Sequence, residues 1–366
     1  MSDSALLHDR KAVSGIVRAI DEVARRFDGR ATFMEVCGTH TMAIAESGLK
    51  SILPDNLMLV SGPGCPVCVT ETSFIDRAVA IGREYDACLV TFGDLVRVPG
   101  TLGSLATFRS EGGQVRVIYS PLDAIEIASE QAPRPTVFLG VGFETTIPTV
   151  AATLKTAVGR GVENLLVLPA FKTIHEPLKV LAAKEILDGF LLPGHVSAII
   201  GSDSYAYLVD DYGKPGVVAG FEALDILLAL KDLVRAAVEG TPEIVNAYKR
   251  VVRSEGNPAA REIIYEVFEP ADASWRGLGT IPGSGLTFAA PYSQCDAGAH
   301  FPVEVPPAED DPRCLCAAIL TGSTTPEKCG LFGRQCTPEE PVGPCMVSSE
   351  GTCAAYYKYG NVTRRG

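Results

Sequence analysis

Short apolar runs alternate with amphipathic segments through the first two thirds of the chain. The first segment, Val13–Phe27, has apolar residues at helical spacing and predicts an amphipathic helix. Apolar runs that each end at a turn follow it, and they are typical of buried strands. The predicted strands are Ala31–Val36, Leu57–Ser61, Ala87–Phe92, Val115–Tyr119, Thr136–Val141, Asn164–Leu168, Gly189–Leu192 and Gly216–Val218. Because helical stretches fall between most of these strands, the pattern predicts parallel sheets and an α/β fold.

The chain is too long for a single core, since its 366 residues exceed the roughly 250–300 at which single cores stop growing. A polar, proline-rich stretch at 130–135 and a change of character past residue 240 suggest two boundaries. We therefore predict two Rossmann-like parallel-sheet α/β domains, at 1–130 and 131–240, and a loop-rich, partly helical C-terminal domain at 241–366. The predicted helices after the first are Thr41–Leu53, Glu71–Arg83, Thr101–Glu111, Leu122–Glu130, Glu222–Val238, Pro242–Arg253 and Pro258–Phe268.

Charge and cysteine usage narrow the classes of function. A formal net charge of −12 argues against a nucleic-acid partner. The N-terminal residues lack the pattern of a signal peptide, and no uncharged apolar run reaches about 18 residues, so we expect a cytoplasmic protein without a membrane span. In a reducing compartment, the 11 cysteines are more typical of metal ligands or redox thiols than of structural disulfides.

Residues suited to ligation and proton transfer follow several predicted strands. In open α/β sheets, ligands bind beyond the carboxyl ends of the strands. Cys37 also precedes a predicted helix, whose N-terminus favours a thiolate. Asp94 and Glu144 equally fit helix capping, and His195 fits a packed or capping position. The candidate residues at the strand ends are Cys37, His40, Cys65, Cys68, Asp94, Glu144 and His195.

A pair of cysteines, Cys65 and Cys68, follows the turn Gly62-Pro-Gly64. The glycines permit close approach to a bound group, and the prolines stiffen the loop. A Cys-x-x-Cys spacing permits either a reversible disulfide or ligation of a metal by both sulfurs. The plain alternative is that both thiols are small packed apolar groups.

The C-terminal part holds a second set of cysteines on a loop-rich stretch. Four thiolates in such a setting suit zinc or an iron-sulfur cluster. Tight Cys-x-x-Cys knuckles, which structural zinc usually uses, are absent there, so an iron-sulfur cluster is favoured over zinc and over unligated cysteines. The four main candidates are Cys314, Cys329, Cys336 and Cys353, with Cys316 and Cys345 nearby.

Four motifs in this order resemble the HypD family of NiFe-hydrogenase maturation proteins. They are Cys37-Gly-Thr-His40, Gly62-Pro-Gly-Cys-Pro-Val-Cys68, Pro193-Gly-His-Val-Ser-Ala-Ile-Ile-Gly201 and the cysteine tail, which contains Pro341-Val-Gly-Pro-Cys-Met-Val-Ser-Ser-Glu-Gly351. The likeness covers nearly the whole chain, and no motif position departs from it.

The resemblance implies a scaffold on which an Fe(CN)2CO centre is assembled before delivery to a hydrogenase large subunit. It implies a small chaperone partner, HypC, and a cyanide donor, HypE. By the same likeness, Cys37 binds the iron, Cys65 and Cys68 are redox thiols, and His40 and His195 orient or protonate groups at the iron. Cys314, Cys329, Cys336 and Cys353 then bind a 4Fe-4S cluster, with Cys316 as the rival to Cys314.

Two other classes of function remain open at this point. One is a stand-alone iron-sulfur thiol-disulfide oxidoreductase, in which Cys65 and Cys68 exchange with a partner's disulfide and Cys37 only packs. The other is a nucleotide-binding α/β enzyme, suggested by the glycine-rich strand ends. The chain has neither a Walker-type phosphate loop nor a Gly-x-Gly-x-x-Gly turn after a first strand, which weakens that second alternative.

Overall fold

The strands predicted from the apolar runs are all present, and they pair in parallel into two sheets. The computed structural model describes residues 3–27, 29–308 and 310–360. The strands are β1 (Ala31–Glu35), β2 (Leu57–Ser61), β3 (Cys88–Thr91), β4 (Val115–Val117), β5 (Thr136–Gly142), β6 (Leu165–Phe171), β7 (Gly189–Pro193), β8 (Gly216–Ala219), β9 (Ile244–Asn246), β10 (Phe268–Trp275) and β11 (Gly279–Phe288). The first sheet has the order β2-β1-β7-β8-β9, and the second sheet has the order β4-β3-β5-β6. The α/β fold class is therefore confirmed.

The two sheets are not consecutive along the chain. The first sheet joins β1 and β2 to β7, β8 and β9, and the second sheet uses the four strands between them. The predicted division into domains 1–130 and 131–240 is therefore wrong for the sheets, because residue 130 lies between β4 and β5, which both flank β3. The start at residue 241 is wrong as well, since β9 pairs with β8. Pairing of β1 with β7 is a long-range contact that the local composition of the chain does not reveal.

Helices cover the sheets on their apolar faces. Along α1, Ile20 and Ala24 are fully buried and pack with Leu227 and Leu230 of α11 beside the first sheet. Each buried Ile or Leu side chain contributes about 1.5–3 kcal/mol relative to an exposed one. The helices are α1 (Asp3–Ala24), α2 (Gly38–Glu46), α3 (Pro66–Val69), α4 (Thr72–Glu84), α5 (Leu105–Ser110), α6 (Asp123–Gln131), α7 (Ile147–Gly159), α8 (His175–Ala182), α9 (Gly194–Ile200), α10 (Tyr207–Asp210), α11 (Ala223–Glu239), α12 (Pro258–Val267), α13 (Ala297–His300), α14 (Cys316–Leu320), α15 (Pro344–Val347) and α16 (Thr352–Tyr359).

One predicted helix, Pro242–Arg253, is wrong. The segment forms the edge strand β9, which pairs with β8, and then a turn. The Asn246 side chain stabilises that turn: its amide donates to the Val252 carbonyl at 2.8 Å, and its oxygen accepts the Tyr248 N–H at 3.0 Å. Such local hydrogen bonds compete with helix formation. The predicted helix Thr101–Glu111 is shorter than expected, since α5 begins only at Leu105.

The C-terminal part contains an antiparallel hairpin, β10–β11, that the sequence pattern did not predict. Its strands are rich in Gly, Pro and Ser, which hides the alternation of a strand. Trp275 at the end of β10 is buried, and its indole N–H donates to Ser284 Oγ at 2.7 Å. The cysteine-rich residues after the hairpin share one apolar cluster with the strand ends of the first sheet. The tail therefore packs onto the α/β part of the molecule.

Candidate functional site

The predicted residues Cys37, Cys65 and His195 follow three adjacent strands of the first sheet. Cys37 follows β1, Cys65 follows β2 on one side, and His195 follows β7 on the other. The turn before Cys65 packs tightly on Cys37, since a Cβ added at Gly64 would lie 2.3 Å from the Cys37 nitrogen. The Gly38 N–H donates to the Gly64 carbonyl at 3.2 Å. Two motifs that are separate in sequence thus form one edge of the sheet.

The Cys37 thiol is buried at the start of α2. Its backbone is extended, with φ −150° and ψ 124°, and the side chain makes no capping hydrogen bond. The pKa of Cys37 is raised to about 12, mainly by burial and also by the nearby charge of Glu350, although the amides of His40 and Thr39 oppose this shift. The expectation that the helix N-terminus makes Cys37 a thiolate is therefore wrong for the protein alone. Desolvation of a thiolate outweighs the field of this short helix, and a metal ion would reverse that balance.

Two histidines pack against the same ring, Phe221. His195 is exposed and stacks on Phe221 with 4.0 Å between ring centres, whereas buried His40 lies 4.8 Å from it. His40 Nε2 lies 2.9 Å from the Gly220 carbonyl, so this nitrogen carries the proton. Burial lowers the pKa of His40 to about 4, so the ring is neutral at physiological pH. Within the described residues, Nδ1 has no hydrogen-bond partner and is free to accept one.

Glu350, from the tail, also reaches this edge of the sheet. Thr39 Oγ1 donates to Glu350 Oε1 at 2.6 Å, and a Cβ at Gly38 would lie 2.6 Å from the Glu350 Cβ. The glycine after Cys37 therefore gives room for the tail. Sequence reasoning did not single out Glu350, although it lies in the quoted motif 341–351, because nothing local places that motif beside Cys37.

Cys65 is the N-cap of α3 and Cys68 lies within this helix, and both thiols are buried and free. The Cys68 N–H donates to Cys65 Sγ at 3.2 Å, and the Cys65 thiol donates to Ser348 Oγ at 3.3 Å. Burial and the neighbouring Cys68 raise the pKa of Cys65. Ser348 in turn donates to Asp94 Oδ2 at 3.1 Å. Asp94 thus holds the tail against the dithiol and does not cap a helix.

Arg276, beside the hairpin, secures the other end of α3. Its guanidinium is buried and donates to the Thr70 carbonyl at 3.1 and 3.3 Å and to Thr72 Oγ1 at 2.8 Å. Asp310 pairs with the same guanidinium. The Arg276 N–H also donates to the Val69 carbonyl at 2.9 Å. Hydrogen bonds from one residue thus fix the last turn of the dithiol helix.

The tail cysteines line one small internal cavity. Backbone groups contact two of the sulfurs: the Val342 N–H donates to Cys336 Sγ at 3.4 Å, and Cys329 donates to the Arg313 carbonyl at 3.8 Å. Within the described ranges, no three His, Cys, Asp or Glu side chains are arranged around a single ion position. Six thiols around an apolar cavity suit a larger, sulfur-ligated group better than one ion. The six are Cys314, Cys316, Cys329, Cys336, Cys345 and Cys353.

Two of these six thiols contact each other. Cys316 Sγ lies 2.8 Å from Cys345 Sγ. Cys345 also neighbours Cys353 and Cys68, and hydrogen bonds among these thiols, together with burial, raise its pKa. Sulfur contacts therefore run from the cavity to the dithiol, a connection that the spacing of the cysteines did not predict.

Glu144 is the remaining candidate. It follows β5 in the second sheet, and its Oε1 accepts the Ile174 N–H at 2.8 Å. Its other oxygen is buried and has no hydrogen-bond partner in the described part of the chain. Burial raises the pKa of Glu144 from its ordinary 4.5 to about 7. None of its hydrogen bonds connects it to Cys37 or the dithiol.

Comparisons with known proteins agree with the sequence resemblance. The family model described as "HypD: Hydrogenase formation hypA family" matches residues 11–360. A hydrogenase maturation factor HypD of Escherichia coli is 44% identical over 329 residues, which cover 89% of this chain and 88% of that protein. The HypD of Rhizobium leguminosarum is 41% identical over 360 residues, covering 96% and 92% of the two chains. That of Cupriavidus necator is 42% identical over 341 residues, 90% of each.

Among the helices of the described residues, none is both long and apolar enough to cross a membrane.

Proposed function

This chain belongs to the HypD family of hydrogenase maturation factors, and from that premise we propose that it is a scaffold for assembling an Fe(CN)2CO centre. The iron with its cyanide and carbon monoxide ligands is the cargo. Cys37 anchors the iron, and the Cys65–Cys68 dithiol supplies reducing equivalents for cyanide transfer. The protein is thus a redox-active assembly factor that acts in the cytoplasm.

The observation that carries this proposal is the position of Cys37. Its thiol has no cysteine partner, unlike the Cys65–Cys68 and Cys316–Cys345 pairs, so it is not consumed when a disulfide forms. Iron bound by cyanide favours a soft thiolate ligand, and iron binding offsets the burial that otherwise keeps this thiol protonated. Neutral His40 and exposed His195 lie at the same edge of the sheet. There Nδ1 of His40 can accept a hydrogen bond that orients a group at the iron, and His195 can protonate one.

The dithiol suits a two-electron step. When Cys65 and Cys68 form a disulfide, they release two electrons and two protons. Those two electrons cleave the sulfur-carbon bond of a carrier-bound thiocyanate, which leaves a carrier thiolate and cyanide. One of the two protons can protonate the carrier thiolate and the other passes to solvent, since the cyanide goes to the iron. Ser348 contacts the Cys65 thiol, and Arg276 holds the C-terminal end of α3 during the exchange.

The tail cysteines suit a 4Fe-4S cluster that exchanges single electrons. Cys314, Cys329, Cys336 and Cys353, the ligands that the family resemblance implies, would hold it, and all four line the cavity. The amide-to-sulfur hydrogen bond at Cys336 is of the kind that tunes the potential of such clusters. Cys345 lies between the cavity and Cys68, which supports electrical contact between this site and the dithiol.

The partners follow from the same proposal. A HypC-type chaperone supplies a second iron ligand at Cys37, and a HypE-type donor supplies the cyanide. The completed centre passes to the large subunit of a NiFe-hydrogenase. Support for these partners comes from family membership and from the open side of the site at His195.

Infrared spectroscopy of the anaerobically purified protein, with and without its chaperone, tests the proposal. Metal-bound cyanide and carbon monoxide absorb where protein does not, and the scaffold should show those bands. The rival function is a stand-alone thiol-disulfide oxidoreductase, which the buried dithiol beside the cysteine-lined cavity favours. Absence of the bands, together with reduction of a generic disulfide without any chaperone, would establish that rival.

A further inference from the structure

The disulfide chemistry of the proposed function needs a route for protons. When Cys65 and Cys68 form a disulfide, each thiol gives up its proton, because the thiolate is the form of cysteine that reacts. The Cys65 side chain is only 4% exposed, so water has little direct access to its sulfur. Neighbouring side chains therefore determine how the proton of this thiol reaches solvent.

The first group on such a route is the buried hydroxyl of Ser348, from the tail. The Cys65 thiol donates to Ser348 Oγ at 3.3 Å, and the Glu350 N–H donates to the same oxygen at 3.2 Å. A serine hydroxyl has two lone pairs and one hydrogen. The thiol and the amide therefore use both lone pairs of Ser348, and its single hydrogen is left for a third partner.

That third partner is the carboxylate of Asp94, which follows β3 in the second sheet. Ser348 Oγ lies 3.1 Å from Asp94 Oδ2. An ionised carboxylate only accepts hydrogen bonds, so the direction of donation runs from thiol to hydroxyl to carboxylate. Asp94 is half-buried and also contacts solvent. The three side chains thus connect a buried thiol to the surface of the protein.

We propose that Ser348 and Asp94 form a proton relay for Cys65, an inference that rests on the redox role of the dithiol in the proposed function. Disulfide formation oxidises Cys65 and Cys68, and the two electrons break a sulfur-carbon or sulfur-sulfur bond of the partner. As the Cys65 sulfur forms its new bond, its proton moves to Ser348 Oγ, the hydroxyl proton moves to Asp94, and Asp94 releases a proton to solvent. The Cys68 N–H, 3.2 Å from Cys65 Sγ, stabilises the negative charge that develops on this sulfur.

The hydrogen bonds of Asp94 also dock the tail, and Ser349 separates docking from proton transfer. The N–H and the hydroxyl of Ser349 donate to Asp94 Oδ2 at 3.0 and 2.8 Å, so Ser349 holds the same carboxylate as Ser348 does. Ser349 is exposed and lies off the path from Cys65. Docking therefore depends on both serines, whereas the relay depends on Ser348 alone.

The rate of disulfide formation between Cys65 and Cys68 tests the relay. The anaerobically purified full-length protein is mixed with hydroxyethyl disulfide at a fixed pH, quenched with acid and alkylated, and the pair is quantified by mass spectrometry. We expect Ser348→Ala and Asp94→Asn to react at least about tenfold more slowly than the wild type, because general acid-base transfer is lost. Asp94→Asn keeps an acceptor oxygen for the tail but cannot take up the proton. Ser349→Ala is the matched control and should stay within about twofold of the wild-type rate.

Chemical rescue gives a second measurement. Formate should restore much of the rate to Asp94→Ala, since a free carboxylate can accept the proton at this half-buried position, but not to Ser348→Ala. Equal slowing of Ser348→Ala and Ser349→Ala would overturn the relay, and so would an unchanged rate in Asp94→Asn, which serves if Ser348→Ala fails to fold. A wild type that forms no Cys65–Cys68 disulfide would overturn the redox role of the dithiol together with the relay.

Discussion

Glu144 carries a carboxyl group whose burial makes protein stability depend on pH. The pKa of this group is raised from 4.5 to about 7 in the folded state, so between these values the unfolded chain ionises it more readily. The neutral Glu144 carboxyl contributes stability to the folded state. This stability is fully present below about pH 4.5 and is lost as the pH rises through about 7. The buried oxygen without a partner explains the direction of the shift.

Glu144→Gln should therefore stabilise the protein at pH 8, by about 1–3 kcal/mol in the free energy of unfolding. The amide oxygen still accepts the Ile174 N–H, and the ionisable group is gone. Urea unfolding of both proteins at pH 5 and pH 8 gives the measurement. Burial also raises the pKa of Glu35 to about 7. Glu35 is present in both proteins, so its effect on the pH dependence of stability cancels when the variant is compared with the wild type. A difference that does not change with pH would contradict the assignment.

At the scale of elements, the short helix α3 owes its position to groups outside it. Arg276 closes its C-terminal end and Ser348 contacts its first thiol, so the hairpin and the tail both hold the dithiol. A helix of 4 residues has little stability by itself. Its geometry therefore depends on these tertiary hydrogen bonds.

Arg276→Met should cost about 2–4 kcal/mol of stability, because the Thr70 carbonyl and Asp310 lose a buried charged donor. Arg276→Lys keeps the charge but not the forked geometry, and should recover only part of the loss. Chemical unfolding measures both variants, with exposed Arg334→Met as the control. A loss below about 0.5 kcal/mol, typical of a surface substitution, would show that Arg276 does not hold the helix.

Substitutions should distinguish the tail cysteines that bind the cluster from the neighbouring Cys316–Cys345 pair. Cys336→Ala should remove most of the iron and sulfide, since an unreplaced ligand is lost. Cys316→Ala should retain them, because Cys316 is outside the four ligands that the family resemblance implies. Iron and acid-labile sulfide analysis of the anaerobic proteins gives the comparison. If the two variants lose iron equally, Cys316 belongs to the ligand set, and Cys314 does not.

Across the whole molecule, the sequence pattern predicted the elements better than their arrangement. Local signals are strong for β1, β2 and β7, whose apolar runs stop within two residues of a glycine or proline. Their pairing is a long-range choice, and the proline-rich stretch at 130–135 marked a loop inside the second sheet. The hairpin β10–β11 was missed because its glycines and prolines resemble a loop in composition.

The candidate site likewise contains residues that the sequence predicted and one that it did not. Cys37, Cys65, Cys68 and His195 could be named from the sequence, because strand-end position is a local property. Glu350 could not, since it reaches Cys37 only when the tail folds back onto the first sheet. Family resemblance added the assignment of roles, which residue types and spacing alone left open.

The central claim is that Cys37 anchors the iron, and infrared spectroscopy of the Cys37→Ala variant with its chaperone tests it most directly. We predict that the bands of metal-bound cyanide and carbon monoxide disappear. The visible absorption of the cluster should remain, because Cys37 does not line the cavity of the tail cysteines. Cys37→Ser should restore little, since a hydroxyl is a poor ligand for a soft metal centre. Cys295→Ala, which removes another buried thiol, should keep all the bands. Undiminished bands in Cys37→Ala would contradict the account and assign the iron to Cys65 and Cys68.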